Sequence, residues 1–343
     1  MSFDRLPQGR PALMWESLAS GAAVCQLCFR SCKPAPGQRG FCQVRLNNAG
    51  QLVTLNYGYT GAISLDPVEK KPLYHFFPAS LTFSVGAPGC NLACLGCQNH
   101  DLSRPGQDYF GQASPSDIIS QLGSLARQRG AKSFSMTYSE PTVFYEYALD
   151  LGLEAAKNGL PVIWVTNGSM NPDILAKLNL AAMNIDLKGF TEDFYRQVTS
   201  GSLAQVLTNI EKALSLGIWV EVTTLLIPGL NDSQTDLTNL ARFLASLSPD
   251  LPWHISRFFP RHRQRDIPPT PVSSLLLARE IGRREGLKYV YLGNLQGQDF
   301  SDTFCPSCGK RLVGRDGYAI SLNLLAESGA CPKCQTPIPG RWT

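Results

Sequence analysis

The sequence predicts an α/β protein, a partial (β/α)6 TIM barrel carrying a small four-cysteine module at each end, and three observations predict it. Six short apolar, β-branched runs alternate with helical patterns through the middle of the chain. Such alternation implies a parallel sheet with right-handed crossovers, and six units fall short of the eight that close a full barrel. Cysteine clusters flank this middle on both sides. The runs are Leu81 to Val85, Ser133 to Tyr138, Pro161 to Thr166, Ala181 to Leu187, Trp219 to Ile227 and Trp253 to Phe258, with a further strand, Tyr289 to Leu292, expected at the edge. Helix starts are marked by Ser114-Pro115-Ser116-Asp117, Asn171-Pro172, Asn231-Asp232 and Thr270-Pro271, which combine capping side chains with proline in the first turn. The expected division is an N-terminal four-cysteine module and connector over 1–77, the barrel over 78–297 and a zinc-ribbon-like module over 298–343.

The 343 residues suffice for one large core plus two appendages. Met1 to Arg10 contains no apolar signal segment, and no run reaches the roughly eighteen apolar residues of a membrane span, so a soluble cytoplasmic protein is expected. The net charge of +4 is modest and its basic residues are dispersed, which argues against nucleic acid as a partner.

The eleven cysteines divide without remainder into a tetrad, a triad and a second tetrad. Cys305, Cys308, Cys331 and Cys334 form two Cys-x2-Cys knuckles, a zinc pattern. Cys25, Cys28, Cys32 and Cys42 are less regularly spaced and accept either zinc or an accessory iron–sulfur cluster. Close pairs in a chain without a secretory signal point to metal rather than disulfide. The triad, Cys90, Cys94 and Cys97, stands in Gly-Cys-Asn-Leu-Ala-Cys-Leu-Gly-Cys-Gln-Asn. A four-iron, four-sulfur (4Fe-4S) cluster normally takes four thiolates, so three leave one iron open for a non-protein ligand.

This spacing resembles the signature of radical S-adenosylmethionine (SAM) enzymes. The resemblance implies that SAM chelates the open iron and that reduction cleaves it to a 5′-deoxyadenosyl radical. Tyr138-Ser139-Glu140-Pro141 resembles the Gly-Gly-Glu-Pro motif of such enzymes, with Glu140 facing the SAM ammonium; taken by itself, Glu140 reads equally well as a helix-start acid. Thr166-Asn167-Gly168, Asp186-Leu187-Lys188 and Trp253-His254-Ile255 resemble the SAM-lining motifs of pyruvate formate-lyase activating enzymes. That likeness adds Thr166, Asn167, Asp186, Lys188 and His254 to the expected SAM site, beside Tyr138 and Glu140 of the Glu-Pro motif. Val165 stands where those relatives carry Asp, so a bound monovalent cation is not expected there.

Further motifs narrow the resemblance. Asp66 to Phe76, Cys97-Gln98-Asn99, Tyr291-Leu292-Gly293-Asn294 and Ile338-Pro339-Gly340-Arg341-Trp342 look like the radical SAM enzyme of the AmmeMemoRadiSam system, with Phe29 in place of a Pro and Ala79 in place of a Gly. This implies partnership with Memo-like and AMMECR-like proteins, and a one-electron donor such as flavodoxin or ferredoxin. Asp66 to Phe76 reads as a lid or substrate wall through Glu69 and His75, and as a solvated connector at Lys70 and Lys71. Arg257 to Arg265 is a basic loop, a solvated face by default and a dock for an anionic substrate or acidic partner otherwise. Three functions fit: radical chemistry on an unidentified substrate, activation of a glycyl-radical enzyme, and an inactive barrel kept as a zinc-stapled interaction module. The retained cysteines and strand-end polar groups favour the first.

Overall fold

A single sheet of eight strands organises the molecule. The structure is a computed structural model describing residues 9–104, 111–295 and 299–343; the first eight residues and the boundary expected at 297/298 lie outside them. The strands are β1 (Ala62–Pro67), β2 (Leu81–Gly86), β3 (Ala131–Met136), β4 (Val162–Thr166), β5 (Leu180–Asp186), β6 (Trp219–Leu226), β7 (Trp253–Arg257) and β8 (Val290–Gly293). They lie side by side in chain order. From β2 to β8 every neighbour is parallel. All seven strands expected from sequence form, and the fold is a partial barrel.

Strand β1 was not expected. Its six residues pair antiparallel along the whole of β2, so the barrel sheet begins before residue 78. Its inside-outside alternation is hidden because Asp66 is buried while Ile63 is exposed.

The helices follow their caps. Ser114 and Asp117 exchange bonds, Asp117 N–H to Ser114 Oγ at 3.1 Å and Ser114 N–H to Asp117 Oδ2 at 3.2 Å, ahead of a π-helical turn and α1 (Gly123–Gln128). Helices α2 (Tyr145–Lys157), α3 (Leu203–Ser215), α4 (Gln234–Leu247) and α5 (Val272–Arg284) cover the outside of the sheet. Asn171 caps a 3-10 turn over Pro172–Lys177 as expected. Asn231 and Thr270 do not cap. Asn231 accepts from Ile227 N and donates to Lys188 O and Leu225 O, while Thr270 Oγ donates to Leu226 O and accepts from Phe258 N. Both tie adjacent strand ends together, and Ser233 takes the cap of α4.

The barrel interior is polar and needs internal partners. Thr82 Oγ lies 2.6 Å from Ser135 Oγ, and Asn184 bonds Thr223 Oγ and Pro72 O. Glu221, fully buried, accepts from Tyr74 N, His75 N, Trp219 Nε1 and His254 Nε2 at 2.6 to 3.0 Å. Burial alone would raise this carboxyl, yet those bonds hold it below the ordinary glutamate value. Residues 66–77 are therefore part of the core. Lys71, expected to be solvated, is 2 % exposed and donates to Asp66 Oδ2 at 2.7 Å, whereas Lys70 is half-exposed and donates to Asp66 Oδ1 at 2.8 Å. Ala79, in place of the expected glycine, adopts φ +67°.

The C-terminal module is a three-stranded antiparallel sheet that packs on β8 and on Tyr74. Arg315 donates to Tyr74 O, and Arg341 N donates to His75 O at 2.7 Å. His75 Nδ1–H donates to Pro339 O at 2.7 Å, because a carbonyl can only accept; its Nε2 then receives the Tyr291 hydroxyl at 2.6 Å. Among the described residues no helix is long and apolar enough to cross a membrane.

Burial pushes His75 down to about 4 from its ordinary 6.5. Below the ordinary value the unfolded chain takes a proton that the folded chain refuses, so stability falls as pH drops through this window. The wild-type advantage over His75→Gln, read from denaturation midpoints, is expected to shrink by up to about 3 kcal/mol between about pH 7 and about pH 4. An advantage independent of pH contradicts the assignment.

Candidate functional site

The loop after β2 carries the triad across the carboxyl ends of the strands, where barrels of this kind build their sites. Its path is set by close packing: Gly89 has φ +105°, and a Cβ there would lie 2.9 Å from Val44 Cγ1. Backbone bonds from Ala93 N to Thr199 O, Leu95 N to Val198 O and Arg263 N to Leu95 O pin the loop from both sides. The loop Arg257 to Arg265 thus closes over the triad; its Arg261, Arg263 and Arg265 side chains remain outside the core, while Gln264 is buried against Gly96.

Cys90, Cys94 and Cys97 line a cavity of about 500 Å³, and among the described residues they are the only cysteines that do. Leu92 N–H points at Cys90 Sγ at 3.4 Å and Asn167 Nδ2 lies 3.7 Å from it, so donors for a thiolate are in place. Burial pushes the Cys94 thiol up to about 11 and raises Cys90 well above the ordinary range. A metal centre binding them must therefore displace protons. Three thiols on one side of an otherwise cysteine-free cavity fit a 4Fe-4S cluster with one open iron.

The strand ends supply the opposite wall. After β3, Glu140 is 1 % exposed, and its carboxylate accepts from Thr142 N, Thr142 Oγ, Thr166 Oγ and Asn167 N at 2.6 to 3.1 Å. Burial raises its pKa in spite of these bonds. Three of the four bonds fall on Oε1, leaving the free acceptor site on Oε2. Glu140 is thus at once the cap of the Pro141–Phe144 turn and the clamp that fixes Thr166 and Asn167 after β4. Asn167 Nδ2 donates onward to Asn91 Oδ1 in the cluster loop at 2.8 Å. After β5, Lys188 Nζ meets Asp186 Oδ2 at 2.7 Å; burial would lower this lysine, but Asp186 raises it above its ordinary value. Tyr138, at φ +72°, donates its hydroxyl to Asp66.

Tyr138, Glu140, Thr166, Asn167, Asp186 and Lys188 all line the cavity, but His254 does not. It sits two residues too early on β7, held by Glu221 and packed on Tyr74 and Tyr291, and Ser256 takes the lining position. The period of two along a strand makes both residues face inward, so depth rather than face excludes His254. Sequence reasoning also missed Lys70, Lys71 and Gln264 as wall residues, and Tyr318, which reaches the cavity from the C-terminal hairpin. Burial lowers Lys71 to about 8 against the opposing pull of Asp66.

The two tetrads differ. Cys305 Sγ lies 3.5 Å from Cys334 Sγ, and Cys308 Sγ lies 3.6 Å from Cys331 Sγ, close to the roughly 3.8 Å edge of a tetrahedron of thiolates around zinc. Among the described residues this set alone gathers its ligand atoms within 4.8 Å of one another. Cys25, Cys28, Cys32 and Cys42 instead surround a small second cavity bordered by Asn91.

A family model described as the radical SAM superfamily matches residues 84–241. An uncharacterized protein of Methanocaldococcus jannaschii is 39 % identical over 95 % of this chain and 97 % of its own length. A probable GTP 3′,8-cyclase of Aeropyrum pernix is 28 % identical over 57 % of this chain and 58 % of its own, and a putative glycyl-radical enzyme activating enzyme of M. jannaschii is 26 % identical over 59 % and 75 %. A radical SAM methyltransferase structure from Sphaerobacter thermophilus superposes with a TM-score of 0.49 at 15 % identity, over 63 % of this chain and 67 % of that one. The matched segment, just under half of the chain, takes in the triad loop and the strand ends through β6, so over residues 84–241 the chain matches the radical SAM superfamily.

Proposed function

We propose that this chain is an enzyme that reductively cleaves SAM and uses the radical so formed to abstract hydrogen from a substrate of its own. The observation that carries the reading is the set of three cysteines, and among the described residues no fourth, facing strand-end polar groups across one cavity. The cluster and SAM, when bound, supply the one-electron cleavage of the SAM C5′–S bond that yields the 5′-deoxyadenosyl radical.

The chain's own groups bind and orient. Cys90, Cys94 and Cys97 would hold the cluster. Lys188 suits the SAM carboxylate, Glu140 Oε2 and Asp186 suit its ammonium and ribose hydroxyls, and Thr166, Asn167 and Tyr138 complete the wall. Lys71, Ser256 and Tyr318 remain for the substrate. A reducing electron comes from a donor such as flavodoxin or ferredoxin. Motif resemblance supports Memo-like and AMMECR-like proteins as further partners, and an oxygen-sensitive cluster suits the reducing cytoplasm. The activating enzyme among the relatives keeps a second reading open, hydrogen abstraction from a glycyl-radical protein, at partial coverage only. An inactive barrel would not be expected to retain the triad together with Glu140, Asn167, Asp186 and Lys188. Zinc is assigned to the C-terminal tetrad, on its sulfur spacing.

With dithionite and SAM, anaerobically reconstituted protein is expected to release 5′-deoxyadenosine, and Cys94→Ala to lose at least about a hundredfold of that yield. Equal yields from both would sink the reading. Glu140→Gln keeps the shape but cannot accept all four donors; SAM affinity is expected to fall about tenfold, checked by equilibrium dialysis, and unchanged affinity would show that the clamp does not shape the site. Cys308→Ala should lose about one zinc per chain and lower the thermal midpoint. Zinc lost with no change in midpoint contradicts a stabilising role.

A further inference from the structure

We infer that Cys25, Cys28, Cys32 and Cys42 hold a second 4Fe-4S cluster rather than zinc. All four cysteines line one small cavity. Their sulfurs are not drawn together as those of the C-terminal tetrad are, since among the described residues only that set lies within 4.8 Å. Zinc at about 2.3 Å from each thiolate requires sulfur separations of about 3.8 Å. A cubane places each thiolate on its own iron, at a separate corner, and so needs the wider arrangement.

A second observation points to a ligand with many acceptors. Arg45 and Asn91 both line this cavity, at 1 % and 0 % exposure, and each has a buried donor without a partner, Arg45 Nε and Asn91 Nδ2. The other groups of these side chains are committed: Arg45 donates to Glu146 Oε1 at 2.6 Å and to Leu13 O at 2.9 Å, and Asn91 Oδ1 accepts from Asn167. A buried donor left unpaired costs about 1 to 3 kcal/mol. The bridging sulfides of a cluster are acceptors in addition to the four thiolates, whereas zinc adds none. Charge does not separate the two metals, because a tetrathiolate zinc site and an oxidised four-iron cluster carry the same net charge. Spacing and orphaned donors do.

The site is built into the barrel mouth. Asn171 N donates to Leu27 O and Asn171 Nδ2 to Gln26 O, so the first knuckle rests on the loop after β4 that also carries Asn167. Arg30 bonds Asn91 O at 2.5 Å. Asn91 is thus the shared wall between this cavity and the residue next to it in sequence, Cys90. The inference goes beyond the proposed reaction and does not depend on it.

The test is metal and sulfide analysis of full-length, anaerobically reconstituted protein, with electron paramagnetic resonance after dithionite. Wild type is expected to hold about eight irons, about eight sulfides and about one zinc per chain. Cys94→Ala with Cys97→Ala should keep about four irons and a four-iron signal, and adding Cys28→Ala with Cys42→Ala should remove at least about nine-tenths of that iron while zinc stays. About four irons and two zincs in wild type, or no iron in the triad variant with zinc risen to about two, overturns the inference. The wild-type count decides alone if a variant fails to fold. Four irons with 5′-deoxyadenosine still formed defeats this inference only; eight irons with none formed defeats the proposed reaction only.

Discussion

A buried carboxylate inside a polar barrel needs hydrogen-bond donors to offset its lost hydration, and Glu221 draws them from three separate stretches of chain. Two of its donors are the backbone N–H groups of Tyr74 and His75, which forces residues 66–77 to run through the core. Once there, His75 and Tyr74 need partners of their own. They find them in Pro339, Tyr291 and Arg315, so the C-terminal module is held by the same chain of bonds that begins in the barrel. Tyr318, carried on that module, then becomes part of the cavity wall. The appendage is thereby bonded to the barrel and forms part of the cavity wall.

The N-terminal module obeys a parallel rule. Arg45, almost fully buried, pairs with Glu146 at the start of α2, and Leu13 N also donates to that carboxylate. Breaking such a pair leaves an uncompensated buried charge, at a cost of about 3 to 5 kcal/mol. The pair locks the module to the barrel, and Val44 in turn shapes the turn at Gly89 that aims the triad. Glu140 does the equivalent work on the opposite wall. Its position between β3 and β4 converts a helix cap into a clamp on Thr166 and Asn167, and both of the roles expected for it are compatible with one geometry.

Periodicity and spacing made most of this legible. The parallel strands, the triad and the C-terminal tetrad were all evident, because β-branched runs and Cys-x2-Cys pairs are local signals. What escaped was depth and long-range pairing. His254 shares an inward face with Ser256, and only the register of β7 against β6 and β8 shows which of them reaches the cavity. Lys71 reads as a solvated lysine until Asp66 is found beside it. Asn231 and Thr270 read as caps because capping and strand-stapling use the same short polar side chains. Strand β1 is disguised by a buried Asp and an exposed Ile.

The proposed chemistry requires that three thiolates leave one iron open to SAM in the cavity bounded by Glu140, Asn167 and Lys188. The most direct measurement is electron–nuclear double resonance on the reduced protein with SAM labelled by 15N in its amino group and 17O in its carboxylate. Hyperfine coupling to both labels, absent in Cys94→Ala, is expected. A cluster signal unchanged by SAM and without coupling to either label would contradict it.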